Sequence, residues 1–383
     1  MNHFYNDIRD LFKAPRAAIG PQRIFIATVG IIAVHIIYLV FSYSAFFASG
    51  NGSCPVSLWQ QYGLFIPYLP EGMPLLSHII YFTGLILAGF VLLVFNTAVS
   101  RAAYMYLRRN LSYTYKQAFR FAGKRWTSVA GVLLTFLFLI IPFVLGALIM
   151  AAVGKIPWLG EILNSLATLP YIFAGMVLVF FALSFIIALF FGPVIMAATE
   201  EDGFGTAVQA MRITWAQPLR LIVYGITTVV LVVFALIFFL AILKIGLIIY
   251  SNLFMPLMHS LAPILDNALY YAQLAMGGLD TAVKELLGPT GSKIIYLKKM
   301  YQPLELTTSA QVSSVLVFLF LMLAGYISLG YTLAVANNCL LLAHNVIYRR
   351  ITGNSTMERT DSEISSGDEI YINPDSDDIK KLI

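Results

Sequence analysis

Six long, predominantly apolar stretches dominate this sequence: Ile24–Ala48, Leu75–Ser100, Ser128–Val153, Ala167–Thr199, Leu219–Ser251 and Val312–Ile347. Each can cross the hydrocarbon layer of a bilayer as a helix, which takes about 20 residues. Inside lipid every backbone N–H and C=O must find its partner within the segment, so such stretches are restricted to helices. Charge excludes the alternative of a water-facing core protein: only 11% of the 383 residues are Asp, Glu, Lys or Arg, against roughly 25% in soluble domains. The expected fold is all-α and polytopic, with about six transmembrane helices in residues 1–350. The first stretch is expected to be retained, because it exceeds the roughly 7–15 apolar residues of a cleaved signal and Asp7 and Asp10 precede it.

The basic residues orient these helices. Eighteen of the 24 Lys and Arg fall before the first stretch, between the second and third, between the fourth and fifth, and after the sixth. Five lie on the other side (Lys155, Lys284, Lys293, Lys298 and Lys299), and Lys244 is within the fifth stretch. The positive-inside rule places both termini in the cytoplasm of a cell inner membrane. The net charge of +5 is thereby assigned to membrane orientation, and no nucleic-acid partner is expected. Trp126 and Trp215 open the third and fifth stretches and Trp59 and Trp158 lie in the shorter outer loops, the headgroup level that indole prefers. Cys54 and Cys339 fall on opposite sides of the bilayer, so no disulfide framework is expected.

Two connectors share a pattern at an offset of 89 residues: YKQAFRFAGKRW from Tyr115 and FGTAVQAMRITW from Phe204. Tyr115/Phe204, Ala118/Ala207, Phe119/Val208, Ala122/Met211 and Trp126/Trp215 coincide, and within each copy they mark one face of a helix. The same shift superimposes the second stretch on the fourth and the third on the fifth. Two parallel helix–amphipathic helix–helix repeats are therefore expected, related by an axis along the membrane normal, each turning along the inner surface. The run PVIMAATEEDGFGTAVQAMRITWAQPLRLI resembles a loose group of bacterial multi-pass inner-membrane proteins that includes the membrane domain attached to some glycerophosphodiester phosphodiesterases. The likeness covers about residues 100–225. It implies the span–turn–amphipathic helix–span order and carries over no catalytic residue, since no βα alternation of a phosphodiesterase barrel is present.

Outside the spans, residues 252–310 form the largest outer loop, read as short amphipathic helices on the outer surface. At the N-terminus Tyr5, Ile8 and Phe12 are expected to share one helical face on the inner surface. Residues 351–383 carry eight acidic and three basic side chains and read as a disordered cytoplasmic tail.

Catalytic and metal motifs are missing: there is no HExxH, GxSxG or GxxxxGK[ST]. His35 differs in depth from His78, near an outer end, and from His344, near an inner end, by roughly 10–15 Å each, so no haem is expected between His35 and either of them. No catalytic, cofactor or metal residue is expected, and no enzymatic activity. His35 is the one ionisable side chain near the bilayer centre. With Asn96, Asn337 and Asn338 it forms the candidate polar interior. Ala324, Ser328, Thr332 and Ala336 recur every fourth residue, a small-residue stripe that lets helix backbones approach, and are the candidate helix-packing set. The expected partners are the lipid bilayer and other membrane proteins, met through the sixth helix or the 252–310 loop. The leading functional expectation is a non-enzymatic accessory or scaffold subunit of a membrane assembly. The alternative is a transporter or lipid-handling permease for a neutral or amphiphilic substrate.

Overall fold

The structure, a computed structural model, describes residues 5, 7–49, 59–60, 62–66, 69, 72–278 and 302–358. Cys54, the Lys-bearing part of the long outer loop and the acidic tail from Arg359 lie outside the described residues. A 3-10 turn, Ile8–Lys13, leads into α1 (Ala14–Ala18). The six spans are α2 (Pro21–Phe47), α3 (Leu75–Leu107), α5 (Trp126–Val153), α7 (Thr168–Thr199), α9 (Pro218–Phe254) and α11 (Thr308–Thr352). The connectors are α4 (Tyr115–Lys124), α6 (Leu159–Leu166), α8 (Gly203–Ala216) and α10 (Leu261–Ala275). The protein is an all-α, multi-pass membrane protein with six apolar helices long enough to cross a bilayer.

Burial changes along the bundle axis. At the end carrying α4, α8 and α1, here the basic end, α3, α7 and α11 each have a stretch buried on every side. Thr97–Met105, Phe191–Thr199 and Leu341–Ile347 contain no exposed residue. These three spans run in the same direction and pack on one another. The buried stretches of α3 and α7 are rich in Ala, Gly, Ser and Thr, so the backbones come close, and α4, α8 and α1 cover what remains. At the far end the pattern reverses. Phe138, Leu148, Ile149, Leu169, Phe173 and Met176 of α5 and α7 are each more than half exposed, the composition that lipid solvates.

α2 is packed on both α3 and α11. A Cβ added at Gly84 would lie 2.2 Å from Cβ of Phe41, so the α2–α3 contact requires glycine there. α9 packs chiefly on α11, with Phe239 against Tyr331 at 5.4 Å.

Both 89-offset segments are helical, and their environments correspond: α4 packs on α3 and α2, α8 on α7 and α5. The face turned inward is narrower than the shared pattern. Ala118 and Ala207 are both fully buried, whereas Tyr115, Phe204, Trp126 and Trp215 are exposed. The small residues meet protein because the neighbouring spans come within backbone distance. A Cβ on Gly203 would sit 2.7 Å from Cα of Gly131. Thr206 lies against Gly192 and Trp215 against Phe180, so α8 doubles back alongside α7 instead of lying apart from the bundle.

The N-terminal face differs from the expected one. Leu11 and Ala14 are fully buried and Ile8 packs partly against them, while Tyr5 is 59% and Phe12 63% exposed. A 3-10 turn repeats every three residues, which aligns Ile8, Leu11 and Ala14 and turns Phe12 outward. Order also continues past the expected tail boundary at Ile351. Asn345 Oδ1 accepts from Ser355 Oγ at 2.9 Å and from Thr356 N and Oγ1 at 3.1 and 2.7 Å, and Thr356 O accepts from Tyr104 OH at 2.9 Å.

Candidate functional site

The structure divides the expected polar interior between two places. Toward the basic end, Asn337 on α11 faces Asn96 and Ser100 on α3. Its Nδ2 donates to Asn96 Oδ1 at 3.2 Å and to Leu333 O at 2.9 Å, and its Oδ1 accepts from Ser100 Oγ at 2.9 Å. Asn338 is fully buried; its Nδ2 donates to Ala334 O at 2.8 Å, and its Oδ1 has no partner among the described residues. Both ring nitrogens of the fully buried His344 are likewise unpartnered among the described residues.

One residue beyond Ser100, Arg101 is fully buried and ties α3 to α7. Its guanidinium donates to Ala197 O at 2.8 Å and to Glu200 Oε1 at 3.0 Å, and lies 4.3 Å from the Phe121 ring centroid on α4. Glu200 caps α7 in the left-handed region, at φ 57°. Its backbone N–H donates to Met196 O at the helix end, and Arg125 holds the turn that follows: its guanidinium donates to Glu200 O and, at 2.8 Å, to Glu201 O. Two arginines from one 89-residue segment thus hold the helix end of the next.

His35 sits elsewhere, in the far half of the bundle. Its Nδ1 meets Tyr326 OH at 2.6 Å and its Nε2 meets Leu64 O at 3.1 Å. A carbonyl can only accept, so Nε2 carries the proton and Nδ1 accepts from the tyrosine. Leu64 belongs to an outer segment that dips inward, reaching the level of His35, roughly 18 Å along α2 from its end at Phe47. Non-helical backbone at such a level must be paired by protein, and this one is. Tyr43 OH donates to Gly63 O at 2.6 Å, Leu64 N to Ala275 O at 2.8 Å, and Ile66 N to Tyr38 OH at 2.7 Å, while Ile66 O accepts from Tyr38 and Tyr81 at 2.5 and 3.1 Å. Gly63 has φ 60°, and a Cβ there would lie 2.3 Å from Leu274 O.

The small-residue stripe is not an open groove along its length. Ser328 is 1% exposed and Ala324, Thr332 and Ala336 are half-buried. Ser328 Oγ and Thr332 Oγ1 each donate to the carbonyl four residues back at 2.8 Å. The open space lies between the far halves of α5 and α7: a crevice of about 650 Å³ lined by Pro142, Gly146, Ala151, Gly175 and Leu178, with Asn164 and Tyr171 among its lining residues. Asn164 Nδ2 donates to Met150 O at 3.4 Å and its Oδ1 accepts from Tyr171 OH at 2.5 Å.

Thus Asn96 and Asn337 come together, Asn338 bonds within its own helix, and His35 stands apart from all three. Ser100, Arg101, Glu200 and Tyr326 complete these networks and were not singled out by sequence. Arg101 reads as a loop cation because the apolar run stops at Ser100, whereas the helix continues to Leu107. The tyrosines Tyr38, Tyr43 and Tyr81 carried a usable signal, since a phenol inside a span needs a partner for its hydroxyl. Comparison of the chain with family models, curated proteins and solved structures found no match.

Proposed function

We propose that this protein is a non-enzymatic scaffold or accessory subunit of an assembly in a bacterial inner membrane, with both termini in the cytoplasm. One observation carries the reading: at the basic end Asn96, Ser100, Asn337, Arg101 and Glu200 are spent on tying spans together. Asn337, Asn96 and Ser100 bond one another at 2.9–3.2 Å, and Arg101 joins Glu200 at 3.0 Å. Groups held this way stiffen a bundle and are poorly placed to bind and release a solute. The matching environments of α4 and α8 support an origin by duplication of a parallel unit, as does the likeness to the phosphodiesterase-associated membrane domains. The lipid-exposed far halves of α5, α7 and α9 leave broad apolar surface for neighbours.

The crevice of about 650 Å³ between α5 and α7 favours a second reading, a lipid-handling permease for an amphiphilic substrate. Purification of the tagged chain from its native host in mild detergent separates the two. A scaffold is expected to bring down a membrane partner at fixed ratio through size exclusion. A chain that elutes alone, and whose proteoliposomes take up a substrate in a manner abolished by His35→Gln at unchanged protein level, would overturn it.

A further inference from the structure

The crevice between α5 and α7 differs from ordinary lipid-facing surface in how its room arises. Both walls carry glycine, Gly146 on α5 and Gly175 on α7, and a Cβ added to either meets nothing within 4 Å. Pro142 stands inside α5 where the slot begins, and an interior proline removes a backbone hydrogen bond. The two spans meet through Phe136 against Phe185 at 5.5 Å and Phe143 against Phe181 at 5.9 Å, and the slot opens beside the second pair. The resulting space of about 650 Å³ is of the size of ligand sites, roughly 300–1,000 Å³.

Three features decide the occupant. The slot lies between two membrane spans and its lining is almost wholly apolar, so water is a poor filler. From Pro142 to Ala151 it runs roughly 14 Å along α5, an elongated apolar slot. A flexible hydrocarbon chain can follow such a slot. At the far end the slot meets polar groups: the Asn164 amide, the Tyr171 hydroxyl and, in the turn and short helix next to them, the exposed Lys155 and Glu161. One cation and one carboxylate complement a head that carries one charge of each sign. Trp158, 82% exposed in the same turn, marks the headgroup level.

We propose that the α5–α7 crevice is a binding site for a zwitterionic phospholipid, one acyl chain lying between Gly146 and Gly175 and the head resting on the Lys155–Glu161 turn. The site stands independently of the scaffold assignment, because it rests on the far half of the bundle alone.

The test uses the full chain in detergent with dioleoylphosphatidylethanolamine as the probe, bound lipid being read by native mass spectrometry. Wild-type protein is expected to retain about one phospholipid per chain through detergent exchange. The double variant Gly146→Leu and Gly175→Leu, whose Cβ atoms meet open space, is expected to fill the slot and lose retention roughly tenfold, equivalent to ~1.4 kcal/mol, at an unchanged melting temperature. Ala151→Phe serves as a second filling variant should the double variant melt early, and is expected to lose retention likewise. Equal retention by wild type and a stably folded filled variant overturns the site. So does cross-linking in native membranes from Gly175→Cys to a protein helix in place of lipid.

Discussion

Arg101 shows how much of this molecule turns on one side chain. Its charge is fully buried and answered by one carboxylate oxygen, one carbonyl and an aromatic face. Removing one member of such a pair leaves the other uncompensated, at a cost of about 3–5 kcal/mol. Arg101→Ala is therefore expected to lower the melting temperature of detergent-purified protein sharply. Arg101→Lys is expected to recover only part of the loss, since a single ammonium replaces a planar fork that bonds Ala197 O and Glu200 Oε1 at once. A melting curve for Arg101→Ala matching wild type would show that the pair contributes nothing. Composition could not reveal this role: an arginine just past an apolar run looks the same whether it faces water or a carboxylate 99 residues further on. His35 was legible as the lone central ionisable group, but its partners were not, because Leu64 and Tyr326 are 29 and 291 residues away.

At the scale of elements, the six spans were readable from length and apolarity, and the two connector helices from their spacing. What spacing could not say is which face turns inward. Ala118 and Ala207 do, joined in α4 by Phe121, while Tyr115, Phe204 and Trp215 stay exposed; in α8 this follows because Gly131 on the neighbouring span allows contact at backbone range. The close pair Gly131–Gly203 makes this testable. Gly203→Val would place side-chain carbon within about 3 Å of Gly131 and lift α8 from α5. Amide hydrogen exchange is expected to rise about tenfold across residues 203–216 while α4 stays protected. Unchanged exchange in α8 would mean that the connector is held elsewhere. The inward-dipping segment around Gly63–Ile66 was invisible for a different reason. Its stability comes from tyrosine hydroxyls on α2 and α3 and from a carbonyl on α10, none of which leaves a local pattern in the segment itself.

For the molecule as a whole, the distribution of Lys and Arg predicts an orientation that a fusion experiment can check. A cytoplasm-dependent reporter is expected to be active when fused after Arg109 or at the C-terminus, and a periplasm-dependent one after Gly154. Periplasmic activity at the C-terminus would reverse the positive-inside assignment. The gradient from a closed basic end to an open far end was legible only in part: small and polar residues gather toward the basic ends of α3 and α11, but which of them meet protein is decided by tertiary contacts.

The short turn after α11 has a mechanical consequence. Thr356 is clamped by Asn345 and Tyr104, so the chain is fastened to the bundle two residues before Glu358. A force arriving from the C-terminal side is delivered through Thr356 to the junction of α3 and α11, at the closed end of the bundle.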